Sequence, residues 1–187
     1  NVTALNFETN PTFSLIVKVQ DNGIGNLSSQ ATITILVGDV NEVPVISNQS
    51  FLIAENSAAG TVVGTTIATD PDAGQSKIFS ILSGNTNNTF AINSSTGVIS
   101  VVNPAGLDFE LNSMYNIAVR VEDNGPGFLS STATISISVK DVNEAPVIAD
   151  QTFSVPENSV SGTLIGNIVA TDYDALQAKT FSIVSGN

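Results

Sequence analysis

Cysteine, histidine and tryptophan are all missing from this 187-residue sequence. Without cysteine there are no disulfides and no thiolate metal sites, although the compartment stays open. Without histidine there is no imidazole zinc ligand and no ready proton shuttle at neutral pH. A Ser–His or Cys–His nucleophile pair cannot be assembled, so catalysis is not expected. Basic residues are scarce, five Lys plus Arg against seventeen Asp plus Glu, and the net charge is −12. Phosphate neutralisation needs Lys and Arg, so nucleic acid is excluded as a partner and a cation is the natural one. No apolar run reaches the roughly 18 residues of a membrane-spanning helix. No signal peptide or lipidation motif is visible. Apolar residues still make up 42%, enough for a packed core.

What the chain does have is a repeat. Leu5-Asn6-Phe7-Glu8 matches Leu107-Asp108-Phe109-Glu110, and Gln20-Asp21-Asn22-Gly23 matches Glu122-Asp123-Asn124-Gly125. Asp39-Val40-Asn41-Glu42-Val43-Pro44 matches Asp141-Val142-Asn143-Glu144-Ala145-Pro146. Glu55-Asn56-Ser57 matches Glu157-Asn158-Ser159, Asp70-Pro71-Asp72 matches Asp172-Tyr173-Asp174, and Ser83-Gly84-Asn85 matches Ser185-Gly186-Asn187. Every pair is 102 residues apart with no gap, the mark of a tandem array. The repeat frame divides the chain into the back half of one module, 1–45, a complete module, 46–146, and the front half of a third, 147–187. Each Asp-Val-Asn-Glu-x-Pro stretch joins two modules, and its proline holds the preceding residue extended.

Hydrophobicity alternates with period two. Tyr115, Ile117, Val119 and Val121 interleave with polar positions, as do Ala133, Ile135, Ile137 and Val139, so both runs read as half-buried antiparallel strands. Further strands are expected at 50–54, 61–69, 77–82, 89–93 and 98–102, with a tight turn at Thr96-Gly97. No stretch reads as a helix. Seven short strands in about 100 residues predict an all-β fold, a tandem Greek-key β-sandwich of immunoglobulin-like type. A closed barrel is the minor alternative.

Fifteen of the seventeen carboxylates fall on the repeated motifs, at strand ends. The i, i+2 pairs Asp108/Glu110, Asp70/Asp72 and Asp172/Asp174 point to one face of extended backbone. With alternating strand directions, Glu55, Asp108, Glu110, Asp141, Glu144, Asp172 and Asp174 can meet at one junction between modules. Such a cluster would repel itself unless a divalent ion neutralised it. Oxygen-only donors in irregular array suit calcium, which takes six to eight of them, better than magnesium with its strict octahedron. An EF-hand is ruled out, because no twelve-residue loop lies between helices. Reading Asp108 and Glu110 as glycosidase carboxylates would leave the repetition unexplained.

Together these motifs resemble the cadherin repeat, in the variant common in bacterial multi-domain surface proteins. Its Pro-Glu-Asn element is similar to Pro156-Glu157-Asn158 and, with Ala for Pro, to Ala54-Glu55-Asn56. Its Leu-Asp-Arg-Glu resembles Leu107-Asp108-Phe109-Glu110. Its Asp-x-Asp is matched by Asp70/Asp72 and Asp172/Asp174, its late Asp-x-Gly by Asp123/Gly125 and Asp21/Gly23, and its linker by the two joints. The resemblance implies a seven-stranded sandwich per repeat with Ca2+ between successive repeats. It implies ligand roles for Glu55, Asp108, Glu110, Asp141, Asn143, Glu144, Asp172 and Asp174 at the second junction. At the first it implies them for Glu8, Asp39, Asn41, Glu42, Asp70, Asp72 and Asp123. Asp21 and Glu157 would serve outer junctions. Three departures stand out: the linker is one residue shorter than the family's, Asn6 stands where Asp is expected, and no Trp is available for strand exchange.

The expected function is that of an extracellular or cell-surface, calcium-stiffened stalk used in adhesion. Its partners would be calcium, neighbouring repeats, and like molecules or cell-surface polysaccharide. Two alternatives stay open. One is a self-assembling filament subunit whose half-modules pair head to tail; the other is a carbohydrate-binding accessory module of a secreted enzyme. An arbitrary window of a longer chain explains the cut modules better than the filament does.

Overall fold

The computed structural model describes residues 5–174 and 177–186; Asn187 and the first four residues lie outside the described residues. In chain order the strands are β1 (Thr12–Gln20), β2 (Ser28–Leu36), β3 (Val45–Ile46), β4 (Gln49–Ala54), β5 (Val62–Thr65), β6 (Ala68–Thr69) and β7 (Ile78–Ser83). They continue as β8 (Phe90–Ile92), β9 (Val98–Val101), β10 (Met114–Glu122), β11 (Ser130–Lys140), β12 (Val147–Ile148) and β13 (Ala170–Thr171). Two single 3₁₀ turns, Thr86–Asn88 and Pro104–Gly106, are the only helical pieces among the described residues.

Seven strands form a two-layer sandwich, β4-β11-β10-β7 against β5-β9-β8, with β3 and β6 as a separate pair. The first long strand, β4, pairs in parallel with the last, β11, while the other ladders are antiparallel, as a Greek key requires. Alternation sends Tyr115, Ile117, Val119 and Val121 inward from β10, and Ala133, Ile135, Ile137 and Val139 inward from β11. They meet Ile99, Val101, Phe90 and Leu107 from the facing layer. Phe90 and Tyr115 pack edge to face at 5.0 Å between centroids, and the Tyr115 hydroxyl donates to the Gly106 carbonyl. Gly97, at φ +71°, closes the β8–β9 hairpin with the Thr66 carbonyl 2.5 Å from where a Cβ would lie, so only glycine fits.

The run 61–69 is not one strand. β5 belongs to the three-stranded layer, and β6 leaves it to pair with β3. The switch falls at Ile67, whose amide donates to Gln49 Oε1 at 2.9 Å and whose carbonyl accepts from Gln49 Nε2 at 3.0 Å. One carboxamide replaces a ladder pair and frees the chain to change layers. Gln151 grips Val169 in the same way, at 2.8 and 2.9 Å.

The β1–β2 hairpin keeps the register of β10–β11 shifted by 102, with Leu15 opposite Ile33 as Ile117 is opposite Ile135. Its inward positions are nevertheless open: Leu15 is 47% exposed where Ile117 is 0%. Cross-strand pairing is local; burial needs the facing layer.

Candidate metal centres

Both joints, residues 39–44 and 141–146, run outside any strand, and the repeated carboxylates converge on them. At the second joint, Glu55 ends its module's first long strand and is 4% exposed. Its Oε2 accepts from the Phe109 amide at 2.8 Å and its Oε1 from the Val142 amide at 2.7 Å. One carboxylate thereby ties the Leu-Asp-Phe-Glu loop to the outgoing linker. Asp108 Oδ1 accepts from the Leu111 amide at 2.8 Å, which turns that loop so that Glu110 reaches the linker. Glu55, Asp108 and Glu110 offer oxygens all within 4.8 Å of one another, and so do Glu110, Asp141 and Asp174. Glu110 is common to both triads.

Asp174 comes from the following module. It is 5% exposed; its Oδ2 accepts from the Glu144 amide at 2.8 Å, while its Oδ1 is buried without a partner among the described residues. Glu144 and Asp172 join neither triad. Glu144 Oε1 accepts from Asn56 Nδ2 at 2.5 Å, leaving Oε2 buried and unpartnered, and Asp172 braces the Asp174 amide at 3.2 Å. Asn143 faces Gln177, whose Nε2 donates to its Oδ1 at 2.8 Å. The seven carboxylates are thus divided, five in the triads and two beside them.

The first joint repeats the pattern. Glu8, Asp39, Glu42 and Asp72 offer oxygens within 4.8 Å of one another. Asp72 is 6% exposed, accepts from the Glu42 amide at 2.8 Å, and keeps Oδ1 unpartnered. Asp70 braces the Asp72 amide at 3.1 Å and buries its free Oδ2; Glu42 Oε2 is likewise buried and alone. Asp123, fully buried, stands apart from these four. Its Oδ1 accepts from the Gly125 and Leu129 amides, and its Oδ2 from Asn41 Nδ2 at 3.0 Å. Asp21 accepts only from the Gly23 amide, and neither it nor Glu157 belongs to any of these clusters.

Electrostatics carry the signature of crowding. Burial, then Glu8 and Asp72, push the Glu42 carboxyl above its ordinary range. Burial, then Asp174 and Glu55, do the same to Asp141. A backbone hydrogen bond pulls Glu110 down, but burial together with Glu55, Glu144 and Asp141 carries it up. Burial raises Glu144 against the opposing Asn56 hydrogen bond, with Glu55, Asp174 and Asp141 adding to it. Buried anionic oxygens without donors are costly unless something cationic meets them. The donors are all hard oxygens, from three stretches of chain at the first joint and four at the second, in irregular array, and that set fits calcium.

Three participants escaped the reading of the sequence alone. Gln75 donates to Asn41 Oδ1 at 2.6 Å as Gln177 does to Asn143, and Asn56 holds Glu144. The signal was present: Gln75 and Gln177 are themselves 102 apart.

A Greek-key sandwich flanked on both sides by partial copies of its own sequence, with oxygen-only acidic clusters at the two joints, defines a repeat-type protein with cation-type junctions. Residues 49–140 match the family described as Cadherin domain. Over 188 residues the chain is 33% identical to mouse Cadherin-24, covering 90% of this chain and 24% of that protein. It is 36% identical to human Protocadherin Fat 4, over 90% of this chain and 4% of that protein. The crystal structure of mouse Cadherin-23 EC22-24 superposes with a TM-score of 0.68 at 28% identity, over 90% of this chain and 56% of that one. The chain is built of cadherin domain repeats homologous to those of animal cadherins and protocadherins. The likeness stands at the level of the cadherin repeat. The chain spans about a quarter or less of the length of these two curated relatives.

Proposed function

We propose that this chain is a segment of an extracellular adhesive rod whose modules, 1–45, 46–146 and 147–187, are locked end to end by calcium at their junctions. One observation carries the reading. Asp72 and Asp174 reach from one module into the acidic cluster of the module before it, each almost fully buried, each with a carboxylate oxygen that has no partner among the described residues. Glu8, Asp39, Glu42 and Asp72 are the inner ligand set at the first junction. Glu55, Asp108, Glu110, Asp141 and Asp174 are that of the second. Asp70, Asn41 and Asp123, and Asp172, Asn143 and Glu144, complete them from outside. Bound calcium supplies the positive charge that lets these carboxylates stay ionised together. The chain's part is to hold the linker straight through Glu55, Asp72 and Asp174. Extracellular modules bind calcium at roughly 10⁻⁴–10⁻³ M, so occupancy follows the outside medium. Like molecules, or cell-surface polysaccharide, are the adhesive partners in this reading.

Calcium titration, followed by thermal unfolding and small-angle scattering, tests it. Unfolding temperature and maximum dimension both rise through the millimolar range; a chain indifferent to calcium in both refutes it. Sedimentation during the same titration tests the head-to-tail filament reading, since a concentration-independent monomer excludes it.

A further inference from the structure

Asn41 is gripped at both ends of its carboxamide. Asp123 can only accept, and its other oxygen is taken by two backbone amides, so Asn41 Nδ2 must face it. Gln75 Nε2 then meets Asn41 Oδ1 at 2.6 Å. At the second joint Gln177 makes the same bond to Asn143 Oδ1 at 2.8 Å. This contact recurs although its surroundings change: Pro71 is replaced by Tyr173, and Ser76 by Ala178. Gly125 belongs to the arrangement, because a Cβ there would lie 1.8 Å from Asn41 Oδ1 and 2.6 Å from Gln75 Oε1.

We infer that Gln75 and Gln177 are positioning residues: each holds the linker asparagine's carboxamide, Gln75 together with Asp123 at the first joint, so that its oxygen, with one lone pair left over, is presented as a calcium ligand. This rests on the calcium reading above. A linker amide turned the other way would present N–H to the cation. The glutamine N–H on the linker oxygen disfavours that orientation, at the first joint in concert with Asp123, as partners behind metal ligands do generally. Gln75 Oε1, buried and unpartnered, suggests the rival role of direct ligand, and the two roles separate cleanly.

The experiment is a double-mutant cycle on the full chain with Gln75→Leu, Asn41→Ala and both together. Calcium midpoints are read from the backbone amide resonances of residues 39–42. Gln75→Leu raises the first-junction midpoint roughly tenfold, the low end for loss of such a partner. The double variant is no weaker than Asn41→Ala alone. In calcium-free buffer the χ1 couplings of Asn41, those of a single rotamer in the parent, move toward rotamer-averaged values in Gln75→Leu while the unfolding temperature holds. Additive losses would make Gln75 a ligand itself and overturn the positioning role, as would an unchanged midpoint. A parent chain that binds no calcium would instead refute the underlying reading.

Discussion

Glu110→Gln should change sign with calcium. Glu110 is exposed, belongs to both triads of the second junction, and is crowded by Glu55, Glu144 and Asp141. In calcium-free solution, removing its charge relieves repulsion and removes no packing, so the module unfolds at the same or a higher temperature. With calcium the reverse holds. At Kd values of roughly 10⁻⁴–10⁻³ M, about 10 mM calcium stabilises each site by roughly 1.4–2.7 kcal/mol through mass action. Weakening each of two sites tenfold removes about 1 kcal/mol per site, about 2 in all. For a domain near 100 residues that lowers the unfolding temperature by roughly 8–16 °C. Scanning calorimetry of parent and variant, with and without 10 mM calcium (the concentration used in that estimate, roughly tenfold or more above the expected Kd), makes the comparison. An equal fall in both conditions would make Glu110 a structural residue, and no fall with calcium would remove it from the ligand set; either refutes the argument.

Acidification should stabilise the calcium-free junctions. The carboxyls of Glu42, Glu110, Asp141 and Glu144 are raised from ordinary values of 4.5, 4.5, 3.8 and 4.5, so the folded state binds protons more tightly than the unfolded. That stability is full below the ordinary values and is lost as pH rises through the raised ones. With calcium present the trend reverses, because protons compete for the same oxygens; unfolding temperature against pH in the two buffers checks both signs. Gly125→Ala should displace Asn41 and raise the calcium midpoint of the first junction several-fold, leaving the second untouched, as resonances of residues 39–42 and 141–144 would show. Terbium should report the second junction selectively. Tyr173 lies between Asp172 and Asp174, Pro71 occupies its place at the first, and there is no Trp to compete. Tyr173→Phe should abolish most of the sensitised emission while leaving calcium affinity unchanged.

Much of this was legible in the chain. The period of 102 marked the joints before any strand was placed, because a shared function at every joint forces the same residues to recur in register. Period-two alternation located β10 and β11 and their inward faces, because a pleated strand offers no other way to bury Ile117 and Ile135. What misled was the unbroken β-prone run at 61–69, rich in Thr, Val and Ile. Its break depends on Gln49, nearly twenty residues earlier, and no local pattern announces a side chain that will intercept a backbone pair.

The carboxylates show the same division. Covalent order alone determined which ones exist; a turn at 109–111, and not the extended backbone expected there, brings Asp108 and Glu110 together. Covalent order could not say that Glu110 serves two triads, that Glu144 turns to Asn56, or that Asp123 holds the linker rather than joining the cluster. Those choices depend on which donors arrive from elsewhere: Phe109 and Val142 amides for Glu55, Gly125 and Leu129 amides for Asp123. Each such bond spends a lone pair, and the oxygens left over are those available to a cation. Sequence fixes the inventory of oxygens; tertiary structure, by satisfying some and burying the rest, decides which of them are left facing one another.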